Sequence, residues 1–263
     1  MLLLLLLSFA LSVRAEAGEI IGGHEAKPHS RPYMAFLRYI KKDTNKTMRC
    51  GGFLIQNNVV LTAAHCNGRN FKVKLGAHNI IKKEKKSKEC TVCATFPHED
   101  YNNDTDFNDI MLLKLCKKVK LTKEINTLSL PDPQTKLKPG QQCSVAGWGR
   151  IDINNTLSDK LMEVELKIQE DRECELNFGD YDPTMQLCAG NYEEEDAMKG
   201  SKVAQTAPSG RPYLRLPQTF ELLVNSSCWS QLASHSLLYS CVSTNLCLHM
   251  GHACQQRLVP ILN

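Results

Sequence analysis

A histidine that can take a proton, and a carboxylate that fixes which ring nitrogen does so, are what a weak hydroxyl nucleophile needs to become reactive. His65, within Leu61-Thr62-Ala63-Ala64-His65-Cys66, and Asp109, within Asn108-Asp109-Ile110-Met111-Leu112-Leu113, suit those two roles. Asp104 and Asp106 lie near Asp109 in sequence but outside the Asp-Ile-Met-Leu-Leu frame, and read as surface residues. Cys90-Thr91-Val92-Cys93 has the spacing of a metal-binding pair. No second pair with adjacent histidine completes a four-ligand set there, so neither a metal nor a cofactor is expected.

The formal charge of +4 is unevenly placed. Lys82, Lys83, Lys85, Lys86 and Lys88 crowd one short polar stretch, which reads as a surface loop able to meet a polyanion such as a sulfated glycosaminoglycan. A merely solvated loop is the plainer alternative. Nucleic acid fits less well, because no aromatic interleaving or nucleic-acid motif accompanies the lysines.

Compartment follows from the leader and the cysteines. Residues 2–7 are all leucine and lead through a short apolar stretch to Ala15-Glu16-Ala17, the pattern of a secretory signal over residues 1–17 with an A-x-A cleavage site. The run is shorter than the roughly 20 apolar residues that a membrane span requires, so no span is expected. Twelve cysteines behind such a leader point to disulfides in an oxidising compartment. Asn45-Lys46-Thr47, Asn103-Asp104-Thr105, Asn154-Asn155-Thr156 and Asn225-Ser226-Ser227 match the N-glycosylation acceptor pattern, in keeping with secretion or storage in secretory granules.

The elements that must position these residues are strands. With 263 residues and 42% hydrophobic content, the chain can bury a core of ordinary size. Gly52-Phe53-Leu54-Ile55, Val59-Val60-Leu61-Thr62, 71–75, 110–115, 144–148 and 162–168 are short apolar or alternating runs separated by Asn, Gly, Pro and Asp clusters. Glu163-Val164-Glu165-Leu166-Lys167-Ile168 alternates as a strand with one buried face does. No long helical period interrupts them, so the fold class is all-β, an antiparallel sandwich or barrel.

Residues 20–200 resemble the granzyme, cathepsin G and mast-cell chymase branch of the trypsin-like serine proteases. The resemblance rests on Ile20-Ile21-Gly22-Gly23-His24-Glu25-Ala26, the segments around His65 and Asp109, Leu75-Gly76-Ala77-His78-Asn79-Ile80, Lys138-Pro139-Gly140 and Val145-Ala146-Gly147-Trp148-Gly149. It implies two antiparallel six-stranded β-barrels, with residues 20–127 as the first and 128–200 as the start of the second. It further implies an activation dipeptide at 18–19, whose removal frees the amino group of Ile20, and His65 and Asp109 as general base and orienting carboxylate. Cys50 is expected to bridge Cys66, and Cys174 to bridge Cys188.

The resemblance fails at one place. The family continues from the position of Gly200 with Asp-Ser-Gly-Gly-Pro, whereas this chain reads Ser201-Lys202-Val203-Ala204-Gln205. Lys202 then stands in the slot of the nucleophilic serine, and Ser201 in that of the aspartate that pairs with the freed Ile20. Pro208-Ser209-Gly210-Arg211-Pro212 echoes the missing motif but would need a loop longer by about seven residues to bring Ser209 within the roughly 3 Å that proton transfer requires. Ser209 is not taken as catalytic. Counting back from the expected serine, the floor of the primary pocket falls on Asp196, which would favour substrates with Lys or Arg by charge pairing.

Residues 201–263 form a divergent tail, rich in Ser, Leu and Cys, that leaves the second barrel incomplete. Cys143 is expected to lack its usual mate there. The expected function is that of a granzyme-like serine endopeptidase, acting on peptide or protein, whose own catalysis is lost. The alternatives are a non-catalytic secreted binder of sulfated glycans or inhibitors, or an unstable splice or frame variant.

Overall fold

A computed structural model of the chain describes residues 23–104, 107–130, 137–149, 151, 156–177, 181–183 and 187–190, and the backbone of 214–216. After the two-residue strand β1 (His24–Glu25) come β2 (Met34–Ile40), β3 (Thr47–Gln56), β4 (Val59–Thr62), β5 (Arg69–Leu75), β6 (Lys88–Pro97) and β7 (Met111–Leu115). The last six close into an antiparallel barrel in the order β2-β3-β4-β7-β6-β5. Closure leaves no unpaired edge, which removes the commonest route to aggregation of a β-structure.

Alternation fixes the register. In β5, Phe71, Val73 and Leu75 are buried while Arg69 and Lys72 face water, so a slip of one residue would put three apolar side chains outside. Phe53, Leu37, Leu54, Leu61, Leu75 and Leu113, drawn from five of the strands, are fully buried together in the core. β2 and β6 do not stand out in the sequence. β2 is nearly continuous in apolar residues and only Arg38 is fully exposed, while β6 carries mixed residues at mixed exposure.

The second sheet contains β8 (Gln142–Gly147), β9 (Met162–Ile168), β10 (Leu187–Gly190) and β11 (Leu214–Leu216), together with β1. It runs β1-β9-β10-β11, with β8 also paired to β9, and is an open five-stranded sheet among the described residues. Met162, Val164, Leu166 and Ile168 of β9 are buried while Glu165 and Lys167 are exposed. The seven-residue helix α1 (Asp171–Asn177) follows β9, and its Cys174 is tied to Cys188 of β10 by a disulfide. The fold is thus nearly all-β, with one closed barrel and, among the described residues, a second sheet that does not close.

Two observations bear on the tail and on Cys143. Leu214–Leu216 is a strand, pairing Leu216 with Leu187 and Leu214 with Ala189, although nothing in that region reads as one; three residues are too few to show a period. Cys143 is disulfide-bonded. Its mate lies outside the described cysteines, because six of these pair among themselves and Cys90 is a free thiol.

One glycine is indispensable to the turn after β5. Gly76 has φ +68°, and a Cβ there would lie 2.7 Å from Ile125 Cγ1 and 3.1 Å from the Lys86 carbonyl oxygen. Both the left-handed backbone and the contact oppose any side chain. Gly76→Ala is expected to lower stability by about 1–3 kcal/mol, read as a lower urea midpoint at unchanged m-value.

Polar contacts fasten the barrel to the second sheet. Glu25 accepts from Lys160 Nζ at 2.6 Å and faces His78 Nε2 at 2.8 Å, while Arg31 donates to Glu163 at 2.8 Å and to Ser144 at 3.0 Å. Trp148 packs edge-on against Phe36 and donates its indole N–H to the His78 carbonyl at 3.0 Å. The hydrogen bonds from Lys160 and then His78 hold the Glu25 carboxyl below its ordinary value. A carboxylate favoured in this way adds stability that is present above the ordinary glutamate range, near 4.3, and is lost as pH falls through the lowered folded value. Glu25 is 41% exposed, so Glu25→Gln is expected to cost under about 1 kcal/mol at neutral pH. It should also flatten the acid limb of a plot of urea midpoint against pH.

Candidate active site

The barrel delivers the imidazole on a short 3₁₀ turn, Ala64–Cys66, that leaves the end of β4. Ala63 and Ala64 are buried, and side chains this small let the turn sit against the barrel. Thr62 anchors its start by donating Oγ1 to the Gly51 carbonyl at 2.7 Å, and a Cys50–Cys66 disulfide ties its end to β3. Beyond it Gly68 passes so close to β2 that a Cβ would meet the Tyr39 ring at 2.4 Å and the Ile40 carbonyl at 2.5 Å. The segment carrying His65 is therefore held at both ends.

Asp109 arrives from the loop that enters β7. Asn108 adopts φ +56°, a left-handed conformation that asparagine tolerates better than most residues, and its amide donates to the Asp100 carbonyl at 3.0 Å. The turn points Asp109 inward, where its side chain is 0% exposed. A buried carboxylate must be satisfied by donors, and two come from one residue. Oδ1 accepts the backbone N–H of His65 at 2.7 Å, and Oδ2 faces His65 Nδ1 at 2.8 Å.

That pairing decides the tautomer. An ionised carboxylate can only accept, so Nδ1 carries the hydrogen and a neutral ring keeps its lone pair on Nε2, the nitrogen able to take a proton. The imidazole is 45% exposed, open to a reacting group where Asp109 is not. Nε2 lies 3.3 Å from Cys66 Sγ, a disulfide sulfur that accepts only weakly. Cys50, His65 and Cys66 bring three potential metal ligands within 4.8 Å of one another, but both sulfurs are joined in the disulfide and are not thiolates. Tyr39, stacked on Phe71 at 5.0 Å, has its phenol raised by burial and, to a lesser degree, by the Asp109 charge.

The other sequence candidates fall as follows. Cys174 and Cys188 form a fully buried disulfide. Ile20, Asp196, Lys202 and Ser209 lie outside the described residues, as do the leader over residues 1–17 and the dipeptide 18–19. Lys82, Lys83, Lys85 and Lys86 are exposed in a loop, whereas Lys88 begins β6, opposite Leu75. Asp104 is exposed, and Asp106 lies outside the described residues.

A Cys93–Cys116 disulfide between β6 and the residue after β7 was not legible, since the Cys-x-x-Cys spacing draws the eye to Cys90. The interlobe contacts of Glu25, His78 and Lys160 were equally hidden, because only the fold brings positions so distant in the chain together.

Residues 20–201 match the family model described as Trypsin. The chain is 51% identical to Duodenase-1 of Bos taurus over 191 residues, covering 73% of this chain and 75% of that protein. It is 52% identical to Granzyme B of Rattus norvegicus over 191 residues, covering 72% and 77%, and 48% identical to Cathepsin G of Homo sapiens over 212 residues, covering 81% and 80%. A solved structure described as "Structure of GrC" superposes with a TM-score of 0.62 at 46% identity, covering 65% of this chain and 75% of that one.

Proposed function

This chain belongs to the trypsin family, as a granzyme-like serine protease, and from that membership we propose that it retains the proton-handling half of the machinery while lacking catalysis of its own. The family's reaction is hydrolysis of a peptide bond through an acyl-serine, and its substrates are peptides or proteins. Here His65 is the base and Asp109 its orienter. The observation that carries the reading is that the family match stops at residue 201, where the sequence turns to Ser201-Lys202-Val203 in place of Asp-Ser-Gly-Gly-Pro.

Lysine in the nucleophile slot cannot substitute. As an ammonium it has no lone pair, and were it acylated as the free amine it would leave an amide no easier to hydrolyse than the substrate. Ser201 offers no charge to pair with the freed amino group of Ile20. The backbone amides that would stabilise the oxyanion belong to the same altered stretch. The domain boundaries follow this reading: leader 1–17, activation dipeptide 18–19, first barrel 20–127, start of the second 128–200 and divergent tail 201–263. Asp196 is the pocket-floor candidate, a carboxylate that would select Lys or Arg. A fluorophosphonate probe offered to protein processed to begin at Ile20 is expected to leave it unlabelled; covalent labelling, at Ser209 or elsewhere, would overturn the proposal.

A second reading, a secreted binder of sulfated glycosaminoglycans, is favoured by one contact. Lys86 pairs with Glu124, which joins the loop of Lys82, Lys83 and Lys85 to the segment bearing the exposed Lys117, Lys118, Lys120 and Lys123. The two lysine-bearing segments then meet at that pair, and a polyanion gains from each neutralised charge. Lys82→Glu with Lys85→Glu is expected to lower the salt concentration that elutes the protein from immobilised heparin. Unchanged elution would remove this reading and leave the first intact.

A further inference from the structure

We propose that Asn45 is an N-glycosylated residue, and that its glycan sits on the hairpin flanking the segment that carries His65. Four stretches of the chain match the acceptor pattern, and sequence does not rank them. Asn103 is exposed too, its Oδ1 accepting from the Tyr101 hydroxyl at 3.4 Å, but Asn45 lies at the tip of a hairpin whose stem borders the site. The connection between β2 and β3 closes with the Asn45 N–H donating to the Lys41 carbonyl and the Lys41 N–H to the Lys46 carbonyl, both at 3.0 Å. Asn45 takes φ +54°, the left-handed conformation that ends such a turn, and residues 42–49 are all exposed.

The side chain is already posed. Arg69 Nη2 donates to Asn45 Oδ1 at 2.6 Å, which consumes the amide oxygen and turns the amide nitrogen, the atom that is glycosylated, away from the guanidinium. Thr47, whose hydroxyl completes the acceptor pattern, is exposed at the first position of β3 opposite Ile40. Nothing buried need open for a sugar to be attached there. The stem of this hairpin is the strand pair whose Tyr39 and Ile40 crowd Gly68, three positions past His65. A bulky, hydrophilic glycan at the tip therefore covers one flank of the site while leaving the imidazole open to small molecules.

The inference rests on the secretory reading, and the test keeps the two apart. The full chain with its own leader is expressed in mammalian cells, and total cell and medium fractions are deglycosylated by peptide N-glycosidase in heavy-oxygen water. Asn45 is expected to be recovered as the heavy-oxygen-labelled aspartate. Asn45→Gln and Thr47→Ala should each lose one glycan step in gel mobility, while Thr47→Ser keeps it, a rescue that a merely structural role of Thr47 would not give. Label at Asn103, Asn154 or Asn225 with none at Asn45 would overturn the proposal and leave secretion standing. No label at any acceptor position, with the chain absent from the lumenal fraction, would overturn both.

Discussion

Replacing residues 201–263 with the corresponding segment of an active granzyme, one that carries Gly-Asp-Ser-Gly-Gly-Pro, is expected to raise kcat on a small ester or amide substrate by about 10⁶. The magnitude is that of the nucleophile, since loss of the reactive serine costs a related enzyme about this factor and the other losses add little once it is gone. The gain presupposes that residues before the junction are already competent. That is the content of the 2.8 Å contact between His65 Nδ1 and Asp109 Oδ2, of the 2.7 Å bond from the His65 main chain to the same carboxylate, and of its complete burial.

In the chimaera, Asp109→Asn is expected to lower kcat by about 10⁴, because an amide can donate to Nδ1 and so favours the tautomer that leaves Nε2 protonated. On the proposed reading the native chain should show no such response. A folded, activated chimaera that remains inactive would mean that the defect lies in residues 20–200 and that the reading of the tail is wrong. Substrates with Lys or Arg before the scissile bond should be preferred if Asp196 forms the pocket floor, and indifference to that charge would remove Asp196 from the pocket.

The sequence displays the fold where a strand is short, alternating and bounded by turn residues. β9 is the clearest case, and Met162, Val164, Leu166 and Ile168 are the positions buried. It conceals strands whose partners decide their exposure. β6 has neither a clean period nor a run of apolar residues, and it is a strand because β5 and β7 both pair with it. The site divides the same way. Flanking residues single out His65 and Asp109, but the left-handed turn at Asn108 and the close pass of Gly68 beneath Tyr39, which aim them, become apparent only in three dimensions. Cysteine pairing is hardest of all. Cys143 acquires a mate despite a tail that departs from the family, and Cys93 pairs with Cys116 and not with a metal, because a disulfide asks only that two Cβ atoms be brought close.

Phe53→Ala is expected to cost about 3–5 kcal/mol of stability, a large share of the 5–15 kcal/mol that holds a domain of this kind. Phe53 is fully buried, sits in β3 between Met34 of β2 and Leu61 of β4, and meets the Tyr33 ring edge-on at 6.1 Å. Its neighbours belong to strands closed on themselves, so none can move into the void without breaking the ladder, and the cavity persists. Leu176, by contrast, is 71% exposed, and Leu176→Ala should shift the urea midpoint by under about 0.5 kcal/mol equivalent.

Hydrogen exchange separates the barrel from the remainder. The Phe53 variant should lose protection throughout β2–β7 together, because a closed sheet opens as a unit. Cys143→Ser lies in the open second sheet and should leave the barrel amides protected while loosening β8 and β9. Equal loss of protection in both sheets for the Cys143 variant would show that the barrel depends on the second sheet for its stability. It would then be wrong to treat the His65 and Asp109 pair as resting on a unit that the loss of the nucleophile segment leaves whole.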